Sequence, residues 1–227
     1  MTKPEKTMLY TAKTIQTAPL WNCRWDDWAD AETAVLAHAR PEGSDHVPHV
    51  QARLMHDADT LYGIFKSDDK YVKSVHVGYQ VDTCFDSCVE FFFKPTVGPG
   101  YFNLEMNAGG SFLFYYVRDW TPAPVGDAYV DYEVIPEKHG RLVTVKTTMP
   151  QIVEPEIETP LTWCAQFAIP RAAIEPYCGP IGELSGQCWT CNFYKCGDET
   201  SHPHWLSWSP VPELNFHCPA AFGTLQL

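Results

Sequence analysis

The sequence predicts an all-β chain folded as a sandwich or barrel, and three observations carry that prediction. Nineteen Pro and fourteen Gly punctuate its 227 residues. Between them, short segments alternate apolar and polar residues with a period of two, the pattern of half-buried strands. Long amphipathic helices are absent, and the strands do not alternate with helical stretches as a parallel α/β sheet requires.

The elements follow in order. Val50, Ala52 and Leu54 alternate with Gln51, Arg53 and Met55, the first clear strand. Asp57–Asp59 turns the chain into Leu61–Phe65, which makes a hairpin. Further strands are predicted over Cys88–Lys94, Tyr101–Asn107, Phe112–Val117, Val130–Ile135, Arg141–Met149, Trp163–Ile169, Trp189–Lys195 and Phe222–Leu227, with a hairpin turn at Asn107–Gly110. The best helix is short, Arg171–Tyr177. Residues 150–160 are rich in Pro and Glu and read as a loop rather than a domain boundary. With no internal repeat and no low-complexity tract, residues 1–227 are expected to form a single domain.

Composition narrows the function. Lys and Arg total 16 against 28 Asp and Glu, a net charge of −12. So acidic a chain lacks the basic footprint that phosphate backbones require, and nucleic acid drops out as a partner. An anionic membrane surface is disfavoured for the same reason. No apolar stretch approaches the ~20 residues of a membrane helix, so no membrane insertion is expected. Eight Trp, eleven Tyr and twelve Phe drive burial and exclude disorder. The first ten residues, Met1–Tyr10, lack the apolar core of a secretory signal, which leads to an expected cytoplasmic location unless such a signal has been removed. The nine cysteines are odd in number and are read as reduced thiols, many of them buried.

Two strands carry polar groups on a face of their own. Neighbouring side chains on a strand point to opposite faces. Phe102, Leu104 and Met106 therefore belong in a core, while Tyr101, Asn103, Glu105 and Asn107 share the other face. Asn103 and Glu105 project about 7 Å apart, close enough to touch one small ligand. On Cys88–Lys94, Glu90 sits between Cys88 and Phe92, and Val89, Phe91 and Phe93 form the apolar row. Asn192 and Tyr194 repeat the theme on Trp189–Lys195. If these strands are neighbours, their carboxylates, amides and phenol line one concave face that suits the hydroxyls and C–H faces of a sugar. The plain alternative is a solvated sheet face, with Glu90 a buried structural carboxylate.

Other constellations are weaker. Cys188-x-x-Cys191 with Cys196, joined by Cys84-x3-Cys88 or His202-x-His204, is the available zinc pattern. Asp68, Asp69, Asp82 and Asp86 could hold calcium through oxygen but do not form an EF-hand loop. No nucleophile elbow, zinc-protease helix or phosphate loop is present. Glu90 and Glu105 could act as an acid and base in glycoside hydrolysis.

At these residues a resemblance enters. Asp86–Phe93, Tyr101–Gly110, Asn192–Asp198, Leu206–Pro210 and Asn215–Gly223, with Val50–Asp69 before them, resemble the family-9-like carbohydrate-binding domains of the DOMON-like group. The resemblance covers nearly the whole chain. It implies an antiparallel β-sandwich, of jelly-roll or immunoglobulin-like kind, that holds the end of a glycan between two aromatic rings. By position, Glu90 matches a sugar-contacting Glu, Asn103 or Glu105 a polar contact on the next strand, Asn192 an amide contact, and Phe216 one sandwiching ring. The second ring falls near Cys84 and Phe85, where no Trp stands. Trp120, Trp205 and Trp208 could supply rings from elsewhere, with Trp208 more at home in a core. Structural calcium is a further implication. DOMON-like relatives also include haem-b carriers, for which His56, Met106 and His217 are the available ligands.

Three functions are therefore carried forward. The first is a non-catalytic carbohydrate-binding domain whose site comprises Glu90, Asn103, Glu105, Asn192, Phe216, His217 and Trp120. The second is a glycoside-active enzyme using Glu90, Glu105 or His217. The third is a haem-b electron carrier. Besides a carbohydrate ligand, a protein partner is the remaining class, since a binding module serves to target something.

Overall fold

A computed structural model describes residues 8–124 and 129–227, so most of the segment read for a secretory signal lies outside it. Two sheets face each other. The larger has nine strands, whose central path runs Leu9–Thr11, Gly223–Gln226, Cys188–Cys196, Cys88–Lys94, Tyr101–Asn107, Phe112–Pro122 and Tyr129–Val134. The smaller has six and runs Thr144–Thr147, Leu161–Pro170, Thr60–Asp69, His49–His56 and Lys13–Thr14, with Ala34–Val35 paired beside it. Pairing is antiparallel except at two edges, where Leu9–Thr11 and Lys13–Thr14 add in parallel, one to each sheet. The amino-terminal stretch thereby ties the two layers together.

The facing surfaces include the predicted apolar rows. Val89, Phe91, Phe93, Phe102, Leu104 and Met106 from one sheet meet Val50, Ala52, Leu54, Phe65, Ala165 and Phe167 from the other, all buried. Phe91 stacks on Phe167 with ring centroids 5.5 Å apart, joining the layers. Phe167 is the register partner of Gly63. A Cβ at position 63 would run into the Phe167 ring, so glycine is what lets the ring lie flat on the neighbouring strand.

Cys88–Lys94 and Tyr101–Asn107 form with the predicted bounds. The hairpin at Asp57 closes because its Oδ1 accepts from the backbone N–H of Asp59 and Thr60 at 2.9 and 2.8 Å. The helix extends one residue further, Arg171–Cys178. Arg141–Met149 shortens to Thr144–Thr147. The loop reading of residues 150–160 is corrected: Val153–Ile157 pairs with Val72–Ser74. That strand carries Pro and Glu because it lies in a two-stranded ribbon with exposed positions, where a ladder donor can be spared. Met55, on the outward row of its strand, is buried too. Trp28, in the turn of 3-10 helix Trp25–Trp28, packs with Met55, Ile64 and Cys164 over that face. All nine thiols are unpaired, and six of them are buried. Among the described residues no helix is long and apolar enough to cross a membrane.

Candidate functional site

Register assembles the site. Tyr194, Glu90 and Glu105 are successive partners across three neighbouring strands, and Asn192, Phe92 and Asn103 form the next row. The four strand-borne residues singled out by parity therefore share the outer face of the larger sheet. That face is not open. Val211 and Phe222, from the segment between Ser209 and the last strand, pack with Phe92, Tyr101, Val117 and Tyr194 into a second apolar cluster on it.

Asn192 holds the start of this cover. Its Oδ1 accepts from the N–H of Ser209 and of Phe193, and its Nδ2 donates to the Ser209 carbonyl, each at 2.9 Å. Its amide is thus committed to the protein, and Asn192 is fully buried. Asn103 also lies under cover. Its Nδ2 donates to Glu105 Oε1 at 2.8 Å, while its Oδ1 is buried with no hydrogen-bond partner.

Beside the cover a pocket of about 400 Å³ opens, within the range of small-molecule sites. Glu90, Glu105, Asp198, Asn215 and His217 supply its polar groups, and Tyr129, Trp205, Leu214 and Phe216 its rings and apolar wall. Cys84 and Cys196 complete the lining. Of the seven predicted site residues, four line the pocket: Glu90, Glu105, Phe216 and His217. Asn103 lies outside the lining but donates to the lining residue Glu105, and Asn192 lies outside it, anchoring the cover at Ser209. Trp120 stands outside the lining, edge-on to Tyr101 with centroids 6.3 Å apart. Trp205 is the indole that reaches the pocket, and its Nε1 donates to Asp198 Oδ1 at 2.7 Å. Trp208 is buried in the core.

Asp198 and Tyr129 were not identified from sequence. Asp198 lies just past the end of a strand, where parity says nothing, and Tyr129 is brought in by a long antiparallel return. Phe216 stacks on Tyr194, centroids 4.1 Å apart, and its carbonyl accepts from the Tyr194 hydroxyl at 3.1 Å. That contact fixes the ring at the pocket wall.

The electrostatics are unusual. Among the described residues, three carboxyl groups line the pocket and no Lys or Arg does. Burial, then the facing Glu105, pushes Glu90 well above the ordinary carboxylate range. Burial raises Glu105 to about 7 against the opposing Asn103 hydrogen bond. Asp198 is raised too, by burial. His217 meets the Tyr101 hydroxyl through Nδ1 at 2.6 Å, and burial lowers it to about 3, so its ring is neutral. The nearby cation, Lys195, is on the core side of its strand. Its Nζ lies 2.6 Å from His204 Nε2, 2.9 Å from the Cys196 carbonyl and 3.6 Å from Asp69 Oδ2.

The loop acids have other tasks. Asp86 accepts from the N–H of Val75 and His76 and from Asn107 Nδ2. Asp69 binds His46, Trp163 and Ser67. These oxygens are spent on protein donors, and Asp68, Asp69, Asp82 and Asp86 do not gather as one ligand cluster among the described residues, so they do not fit a calcium cage. Cys188 and Cys191 fail as a zinc pair: three apart on a strand they point to opposite faces, Cys188 exposed and Cys191 in the core. The haem candidates do not converge. Met106 is in the core, His217 is in the pocket, and His56 is bonded to Thr14 on the other sheet.

Comparison with known proteins bears on this geometry. A family model described as carbohydrate-binding family 9 matches residues 27–227. A crystal structure from Bacteroides uniformis ATCC 8492, described as that of a candidate carbohydrate-binding protein, superposes with a TM-score of 0.83 at 26% identity, covering 97% of this chain and 99% of that one. A family 9 carbohydrate-binding module from Caldicellulosiruptor kristjanssonii, in complex with glucose, gives a TM-score of 0.62 at 11% identity over 97% and 95% of the two chains. Its complex with cellotriose gives 0.62 and 11% over 97% and 93%. These two share the fold. A search of curated protein sequences gives no match.

Proposed function

The chain belongs to carbohydrate-binding family 9, and from that premise we propose that the pocket over Glu90 and Glu105 binds a carbohydrate without cleaving it. One observation carries the placement: hydrogen-bonding carboxyls and an amide converge with the rings of Trp205, Tyr129 and Phe216 in a single concave site. Sugars need both, polar groups in a fixed array for the hydroxyls and flat rings for the C–H faces. The fixed array is supplied by strands of a rigid sheet rather than by loops alone.

The same arrangement argues against hydrolysis. Glycoside hydrolysis places its two carboxyl groups on either side of the scissile bond. Glu90 and Glu105 stand side by side on adjacent strands and reach a ligand from the same floor. They are suited to recognition.

The test is isothermal titration with glucose, cellotriose and a panel of other mono- and oligosaccharides, alongside a reducing-end assay. Saturable binding of at least one sugar without new reducing ends is expected. Release of reducing ends would replace this reading with an enzymatic one. No binding at millimolar ligand would remove the pocket as a sugar site.

A further inference from the structure

The pocket floor holds more ligand chemistry than a sugar requires. Cys88 and Cys196 are register partners on neighbouring antiparallel strands, and Glu90, two residues along from Cys88, shares their face. The two thiol sulfurs and a Glu90 carboxylate oxygen lie within 4.8 Å of one another, and Cys196 Sγ donates to Glu90 Oε1 at 3.0 Å. All three residues are buried, at 0%, 1% and 3% exposure. We propose that Cys88, Cys196 and Glu90 form a zinc-binding site whose fourth coordination position faces the pocket.

The donor set selects the metal. Two sulfurs and one carboxylate suit a borderline-soft tetrahedral ion, with bonds of about 2.3 Å to sulfur and about 2.0–2.2 Å to oxygen. Calcium and magnesium want oxygen alone. Three protein ligands with an open fourth position is also the pattern of sites that take water or an outside ligand. Here Glu90 and Cys196 reach the pocket lining, which supplies the entry path, while Cys88 sits beneath them.

The surroundings call for a cation as well. The Glu90 and Glu105 carboxyls face each other, and among the described residues no Lys or Arg lines the pocket. Beside Cys88, the buried Thr83 hydroxyl is a further polar group next to a ligand sulfur. Among the described residues, the second cluster of ligating side chains, His46, Asp69 and His204, differs on this point: the Lys195 ammonium already stands at Asp69 and His204.

Reduced, metal-free protein titrated with cobalt(II), in the absence of sugar, tests the site. One cobalt per chain is expected, with a thiolate-to-metal charge-transfer band in the near ultraviolet and the visible bands of a tetrahedral ion. One equivalent of zinc should erase both. Cys196→Ser should weaken cobalt binding by about tenfold or more and reduce the charge-transfer intensity, whereas Cys188→Ser, at an exposed thiol outside the pocket, should change neither. A wild-type titration without the charge-transfer band overturns the proposal, as does a band undiminished in Cys196→Ser. Should Cys196→Ser fail to fold, the wild-type titration decides alone. Sugar binding measured with chelator present is independent of this outcome, so failure of either reading leaves the other standing.

Discussion

Glu90 and Glu105 are direct register partners on adjacent antiparallel strands, two buried carboxyl groups facing each other across a single inter-strand gap. Like charges so placed cannot both ionise cheaply, and here both groups titrate above their usual range. The floor of the pocket can therefore both donate and accept hydrogen bonds, which is what a ligand made of hydroxyls requires.

This sets what a substitution at Glu90 should do. A charged contact to a sugar hydroxyl is worth about 1.5–3 kcal/mol, but a protonated carboxyl makes a neutral one worth about 0.5–1.5 kcal/mol. Glu90→Gln, which preserves shape and a neutral donor and acceptor, should weaken sugar binding by no more than about tenfold. Glu90→Leu should weaken it further, because the hydroxyl it served is left unpaired in the pocket. Calorimetric titration of both variants, with chelator present, checks the order. Equal losses would mean that the Glu90 polar atoms do not touch the ligand.

The aromatic wall makes a second distinction. Trp205 lines the pocket and Trp120 does not. Trp205→Ala should weaken sugar binding by about threefold to tenfold, corresponding to the ~0.5–1.5 kcal/mol of a ring contact. Trp120→Ala should stay within about twofold of wild type. Trp205→Phe separates the ring from the indole N–H that holds Asp198. A larger effect at Trp120 than at Trp205 would move the site toward the far side of Tyr101.

These two tryptophans also show what the sequence could and could not yield. Alternation within Cys88–Lys94 and Tyr101–Asn107 gave the bounds of both strands and the face of every side chain on them, because period two is a property of the backbone. Strand parity placed Glu90, Asn103, Glu105 and Asn192 on one surface. It could not tell that Ser209 would close over Asn192, since that contact joins residues seventeen apart through an irregular segment. Asp198 escaped for the same reason, since it lies beyond the end of its strand, where alternation stops, and Trp205 stood as one of three candidate rings because alternation does not tell which indole reaches the pocket. Short edge strands such as Leu9–Thr11 and His38–Ala39 were invisible because two or three residues carry no period.

The buried ion pair at the end of the sandwich gives a prediction in pH. Burial alone would raise the Asp69 carboxyl, but Lys195, the His46 hydrogen bond and His204 outweigh it and hold the group well below its ordinary value. A carboxyl depressed in the folded state contributes stability that is fully present above its unfolded pKa, about 3.9, and is lost as pH falls toward the folded value. Breaking a buried pair costs about 3–5 kcal/mol. Asp69→Asn should therefore be strongly destabilised near neutrality and progressively closer to wild type below about pH 4. Denaturant midpoints across that range decide it. A penalty that stays constant on acidification would assign the cost to lost hydrogen bonds rather than charge.

Gly63 and Phe167 provide the last test, of the core that keeps the site in register. The two are cross-strand partners, and the Phe167 ring, stacked on Phe91 of the site-bearing sheet, occupies the space where a residue-63 side chain would begin. Gly63→Ala must displace that ring, and overpacking of this kind costs about 1–3 kcal/mol. Phe167→Leu is destabilising by itself but vacates the space, so the alanine penalty should shrink in the double variant. A coupling of at least about 0.5 kcal/mol in a double-mutant cycle of denaturant unfolding is expected. Additive costs would show that the ring does not rest on the glycine. Because Phe91 lies between Glu90 and Phe92 on one strand, displacing Phe167 should also disturb the floor of the pocket, and Gly63→Ala should bind sugar more weakly than wild type even under conditions where it remains folded.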